Sequence, residues 1–201
     1  MTQDGTIHGF GKLITPSGDI CVGTWQYGQM HGICKVMYSS GDIFEGEFKQ
    51  GKQTGVGCKY FVSSNEKYDG EWINGQITGY GKYYFSTADN KVYTGQFYNG
   101  DMYGNGVITT TSYTYRGMVK NGVFDGYGKQ ENHETLEIYE GNFKEGMKQG
   151  LGRQYRIKKD FYMAEYEGFW KEDKKHGHGK YIEQEHQDSI IVYIEGIWEN
   201  D

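Results

Sequence analysis

Four times this chain reads G-x-G-K, at Gly9 to Lys12, Gly79 to Lys82, Gly126 to Lys129 and Gly177 to Lys180. Glycines followed by a lysine are the material of a phosphate loop, where backbone N–H groups cradle oxyanions and the ammonium adds charge. None of the four has the G-x-x-x-x-G-K-[ST] spacing, and none opens a helical pattern, so they read as repeat punctuation. Histidine and cysteine offer a second chemistry. His176 and His178 form H-G-H, and His31 with Cys34 forms H-x-x-C, with Cys21 able to approach across a strand pair. Imidazole and thiolate suit zinc, but neither group assembles four ligands, so no metal or other cofactor is expected. No nucleophile can be placed beside a base and an orienting acid, and the acidic residues are dispersed. No catalytic residue is assigned, and the chain reads as non-enzymatic.

Charge and composition narrow the classes further. The net charge of −6 argues against a nucleic-acid binder, whose affinity comes from neutralising phosphates. No apolar run is long enough to span a bilayer as a helix. The opening residues, MTQDGTIHGFGK, lack the basic and apolar segments of a signal peptide. Three irregularly spaced cysteines, Cys21, Cys34 and Cys58, fit a reducing compartment. The expected location is cytoplasmic. With 32 Gly and 19 Tyr but a single Pro, the apolar surface is largely ring surface, which suits many thin units better than one thick aliphatic core.

The units are visible. An aromatic is followed by Gly at offset two, a second aromatic at four, and Gly at seven, eleven and thirteen. FEGEFKQGKQTGVG (from Phe44) and YDGEWINGQITGYG (from Tyr68) are clear copies. Full units start at Cys21, Phe44, Tyr68, Tyr93, Tyr115, Tyr139 and Tyr166, so the period is 22 to 27 residues. Gly5, Gly9 and Gly11 match the returning half of a unit, and Ile194, Gly196 and Trp198 match the leading half. Offsets zero, two and four share parity and lie on one face of a strand. A helix would lose roughly 1 kcal/mol at each glycine, so the units are β-hairpins. A four-residue loop at offsets six to nine would put offset four opposite eleven and two opposite thirteen. The offset-four ring would then cover a cross-strand glycine and pin the register.

The pattern Y-x-G-x-W-x-x-G-x-x-H-G-x-G resembles the MORN (membrane occupation and recognition nexus) repeat over about residues 5 to 201. The resemblance implies an all-β fold: an elongated, twisted, single-layer antiparallel sheet of consecutive hairpins, about sixteen strands. One domain, 1–201, would comprise a half repeat over 5–20, the seven full repeats starting at 21, 44, 68, 93, 115, 139 and 166, and a half repeat over 193–201. It also implies non-enzymatic scaffolding, with protein partners in a larger assembly, and an aromatic-lined groove. Stand-alone chains of this kind occur in cilia, radial spoke heads and protist cytoskeleton, so a ciliary or cytoskeletal setting is expected. Cys21 replaces a first aromatic and Val119 a second, and those units should pack less well.

Two surfaces are candidates. A single-layer sheet cannot bury both faces, so the ring stripe should stay partly open and dock a protein segment. Its contact residues would be Trp25, Phe48, Trp72, Phe97, Phe143 and Trp170. The alternative is a peripheral membrane tether. Residues 139–181 carry a net +3, with Lys144, Lys148, Lys158, Lys159, Lys171, Lys174 and Lys175 as candidates for anionic lipid or an acidic partner. The following residues, 182–201, carry −6 and would oppose that attraction. Rings and glycines in repeats also occur in carbohydrate-binding modules, a third reading that a missing signal peptide disfavours. The terminal strands, near Thr6–Lys12 and Tyr193–Trp198, offer edges for self-association or for a foreign strand.

Overall fold

The computed structural model describes residues 5–158, 161–186 and 189–199, with the side chains of 157–164 and 184–191 outside the description. The chain falls into two compact units, residues 1–102 and 103–201. The first carries β1 (Gly9–Ile14), β2 (Ile20–Gln26), β3 (Gln29–Met37), β4 (Ile43–Lys49), β5 (Lys52–Phe61), β6 (Glu66–Ile73), β7 (Gln76–Tyr84) and β8 (Val92–Tyr98). β9 (Asp101–Thr109) begins at the border. The second unit continues with β10 (Tyr113–Lys120), β11 (Val123–Asn132), β12 (Glu137–Lys144), β13 (Met147–Lys158), β14 (Phe161–Lys171), β15 (Lys174–His186) and β16 (Ser189–Trp198). Within each unit, consecutive strands pair antiparallel in chain order. The chain is all-β, as expected, with sixteen strands and no helix among the described residues.

The hairpins close more tightly than the sequence pattern implies. Gln26 pairs with Gln29, and Lys49 with Lys52, so the loop is two residues, not four. Both loop residues have positive φ, as at Asn74 (51°) and Gly75 (85°), which is the type I′ geometry that suits strand twist. Gly70 faces Gly81, the expected pairing of offsets two and thirteen, but Trp72 then faces Ile77. The return strand therefore bulges between these pairs, and Gly79 sits in the bulge at φ 62°. Offset four opposes offset nine within its own hairpin. It meets an offset-eleven glycine only in the preceding repeat, as Gly55↔Trp72 and Gly79↔Phe97 show. The two-residue turn and the bulge together account for the difference from the expected register.

A different ring covers the paired glycines. An added Cβ on Gly70 would stand 2.5 Å from the Gly81 Cα and would also strike the Tyr68 ring. The offset-zero ring thus lies flat over a glycine pair, which explains why offsets two and thirteen are glycine. Its hydroxyl donates to the carbonyl at offset three: Tyr68 to Glu71 (3.1 Å), Tyr93 to Gln96 (2.8 Å), Tyr139 to Asn142 (3.0 Å). In the repeat that starts at Cys21, the same carbonyl, that of Thr24, accepts from the Cys34 thiol (3.4 Å). Cys34 replaces the offset-thirteen glycine and fills the space that the absent ring leaves over Gly23.

Candidate functional site

The ring stripe is closed, not partly open. Trp25, Phe48, Trp72, Phe97, Phe143 and Trp170 are each only 4% exposed. Trp72, Phe97, Phe143 and Trp170 each slot edge-on between the offset-zero ring of their own repeat and that of the preceding one, and Phe48 meets Phe44 in the same way. Trp72 meets Tyr68 at 5.4 Å and Phe44 at 5.1 Å, and Trp170 meets Tyr166 and Tyr139, both at 5.2 Å. Such edge-to-face contacts are favourable beyond the area that they bury. The indole N–H is also spent inside: Trp72 donates to the Gly57 carbonyl at 2.9 Å, and Trp170 to that of Gly152 at 3.1 Å. One layer of sheet can bury this face because the rings lie along it and cover one another. The expectation of a free aromatic groove is corrected accordingly.

The basic stretch is not one patch. Lys148 lies over the Tyr139 and Trp170 rings at 4.9 and 4.8 Å, and its ammonium donates to Gln154 at 2.6 Å. Burial pushes its pKa down. Lys175 lies over Tyr166, Tyr181 and Trp198. Both hold offset nine and help to close the ring stripe. Arg153 forms a fork with Glu165 (2.6 and 2.9 Å), and Arg156 pairs with Glu137 (2.6 Å). Lys144, Lys171 and Lys174 are exposed near the hairpin turns. Lys159 lies outside the described residues, as does the Lys158 side chain.

The G-x-G-K segments lie within strands β1, β7, β11 and β15 and not in loops. Cys34 reaches the His31 backbone carbonyl at 3.7 Å. Among the described residues no three His, Cys, Asp or Glu side chains gather in a metal-binding cluster. His176 Nδ1 is buried without a hydrogen-bond partner.

The open surface is the opposite face, which sequence reasoning missed. The residue between the glycines at offsets eleven and thirteen points away from the rings, and it is apolar in most repeats. In the first unit these are Phe10, Ile33, Val56 and Tyr80, all exposed, Phe10 by 80%. In the second they are Tyr127 and Leu151, with Phe169 directly opposite Leu151 and also exposed. An open cleft of about 540 Å³ runs along this face of the second unit, between Tyr127 and Leu151 on one side and Glu140, Arg153, Glu167 and Lys180 on the other. Its floor is backbone, at Gly141, Gly152, Gly168 and Gly179. The bordering polar groups are engaged: Lys180 pairs with Glu167 (2.9 Å), and Glu140 accepts from the Tyr127 hydroxyl (3.0 Å). The signal for this row was present in the G-x-G triplets, GFG, GVG, GYG and GLG, whose middle residue has the parity opposite to the rings.

Comparison with known proteins gives a consistent family. The sequence matches the MORN repeat family over residues 3–20, 21–43, 44–66, 68–89, 93–114, 115–131, 139–158 and 166–182. No curated protein matches the chain. Among solved structures it is similar to the wild-type TCP10 domain of Danio rerio CPAP, described in complex with a peptide of Danio rerio STIL. The identity is 14% and the TM-score 0.37, over 92% of this chain and 98% of that one.

Proposed function

The chain belongs to the MORN repeat family, and from that premise we propose that it is a non-enzymatic scaffold that docks protein segments on its open sheet face. Repeats of this family commonly act as protein- or membrane-binding scaffolds. The observation that carries the reading is the exposed apolar row beside the glycine-floored cleft. A row of Tyr127, Leu151 and Phe169, bordered by a Lys180–Glu167 ion pair and a Glu140 already bonded to Tyr127, suits an apolar protein segment. It suits an anionic lipid surface less well, since few of the described cations on residues 139–181 are unengaged. The setting we propose is a ciliary or cytoskeletal assembly, on the resemblance to chains built wholly of this repeat.

The test is affinity capture from ciliated cells with wild type, a Leu151→Asp/Phe169→Asp variant, and a Lys144→Glu/Lys171→Glu/Lys174→Glu variant. The docking reading expects one set of proteins lost with the first variant and kept with the second, at unchanged melting temperature. Retention of every protein by the Asp variant overturns it. Binding to anionic vesicles that the Glu variant and high salt abolish would instead support a membrane tether.

A further inference from the structure

The offset-three side chain lies on the open face, against the bulge glycine at offset eleven of its own repeat. A Cβ on Gly55 would strike the Glu47 carboxylate, and one on Gly79 that of Glu71. Glu71 also accepts from the Tyr80 N–H (3.1 Å). In the second unit Met118 and Phe169 stand against Gly126 and Gly177 in the same way. The bulge thus fixes where each of these side chains stands, and their chemistry differs between the units. The first unit has acids at Glu47 and Glu71, and the second has Met118, Asn142 and Phe169.

In the first unit this arrangement sets two residue types in one line across the strands. Ile33 pairs with Glu47, and Val56 with Glu71. Glu47 and Val56 flank one bulge, and Glu71 and Tyr80 the next. The line reads Ile33, Glu47, Val56, Glu71, Tyr80, one residue on each strand from β3 to β7, and all five are exposed. Among the described residues no cation pairs with Glu47 or Glu71. Lys35 and Lys67 are held by Glu45 (3.3 Å) and Asp69 (3.6 Å). Lys82 lies over the Tyr84 ring (4.8 Å), and Lys49 and Lys52 flank the hairpin turn, off the line.

On the reading that the open face docks protein segments, we propose that the first unit takes a basic amphipathic helix laid across β3 to β7. Its apolar side chains at i, i+7 and i+14 meet Ile33, Val56 and Tyr80, and Lys or Arg at i+3 and i+10 meets Glu47 and Glu71. Spacing selects the helix. Strands about 4.8 Å apart put the five residues at about 0, 5, 10, 14 and 19 Å. A helix puts its five positions at about 0, 4.5, 10.5, 15 and 21 Å, on one face about 80° wide. An extended segment alternates faces, so its third residue points away from the sheet. A polyproline II segment repeats every 9.3 Å or so, about the spacing of the apolar residues, but it offers no residue midway on the same side for the carboxylates. The unpaired carboxylates select basic side chains and repel an anionic membrane.

The test is titration of the folded chain with a fluorescent eighteen-residue peptide carrying Leu at i, i+7 and i+14, Arg at i+3 and i+10, and Ala, Gln and Ser elsewhere. Anisotropy should show saturable binding, and circular dichroism a gain of helix. Val56→Asp should abolish binding. Glu47→Lys/Glu71→Lys should weaken it about tenfold, for two exposed ion pairs turned into repulsions. A peptide with Glu in place of Arg should prefer that variant to wild type. Two prolines at positions off the contact face should also weaken binding about tenfold, since they break the helix. Circular dichroism and melting establish that the variants are folded. No saturable binding, indifference to the Lys variant, no preference of the Glu peptide for it, or full binding by the proline peptide would each overturn the proposal. Protein capture through Leu151 and Phe169, in the other unit, decides the docking reading separately.

Discussion

Trp72 shows how one side chain serves ring packing and backbone satisfaction together. It is buried between Tyr68 and Phe44, and its N–H occupies the Gly57 carbonyl. Trp72→Phe should cost about 1–2 kcal/mol, chiefly for the unpaired carbonyl, and Trp72→Ala about 3–5 kcal/mol, both read by urea unfolding. A much smaller loss would mean that the ring is not in the core. Glycines divide in the same way. Gly81→Ala drives a methyl into the Tyr68 ring and should cost about 3 kcal/mol. Gly100→Ala meets no atom within 4 Å and pays only for its φ of 88°, about 1 kcal/mol. Lys148 sits on two rings at an offset that holds Met30 and Ile77 in other repeats. Lys148→Met should therefore leave stability within about 1 kcal/mol of wild type, since an apolar isostere avoids the desolvation of a buried ammonium.

At the scale of one hairpin, the unit that starts at Cys21 departs from the others twice, and the departures compensate. Cys34 occupies the volume of the absent ring, over Gly23, and supplies the donor to the Thr24 carbonyl. Cys21→Tyr alone would force a ring into the Cys34 side chain, and Cys34→Gly alone would leave a void and an unpaired carbonyl. Both singles should destabilise, while Cys21→Tyr/Cys34→Gly should regain most of the loss. The coupling expected from a double-mutant cycle is about 1–3 kcal/mol. Additive single effects would show that the two positions do not share this space. The expectation that this unit packs poorly treated Cys21 alone, without its partner across the strand pair.

Across the whole molecule, the offset-zero tyrosines make stability fail at high pH. Burial pushes Tyr68 and Tyr93 from 10.0 up to about 12. It pushes Tyr115 and Tyr139 higher still. The folded state thus holds the phenol neutral where the unfolded chain would release its proton. Sites with raised values contribute full stability below about pH 10 and lose it as pH rises toward the folded values. Because the same tyrosine recurs along the chain, the losses add. Tyrosinate absorbance and unfolding by circular dichroism should rise together above about pH 10. Ionisation of most tyrosines near pH 10 with the β signal intact would contradict the buried placement.

The repeat period and the parity of its rings and glycines determined the all-β hairpin fold from sequence, because a strand's side chains alternate strictly between faces. The pairing of offsets two and thirteen was legible for the same reason. Three features were decided only in the tertiary structure. The two-residue turn leaves extra residues on the return strand, and a bulge absorbs them, so the offset-four ring crosses to the preceding repeat. Ring burial depends on distance between repeats: only when neighbouring hairpins stand side by side do Phe44 and Tyr68 close over Trp72. Lys148 and Lys175 look like free charges in sequence, and they lie on rings because their strand places them at the mouth of the stripe. Closure of the ring face leaves the row between the glycines on the opposite face, Phe10, Ile33, Val56 and Tyr80 in the first unit and Tyr127 and Leu151 in the second, as apolar surface that water reaches.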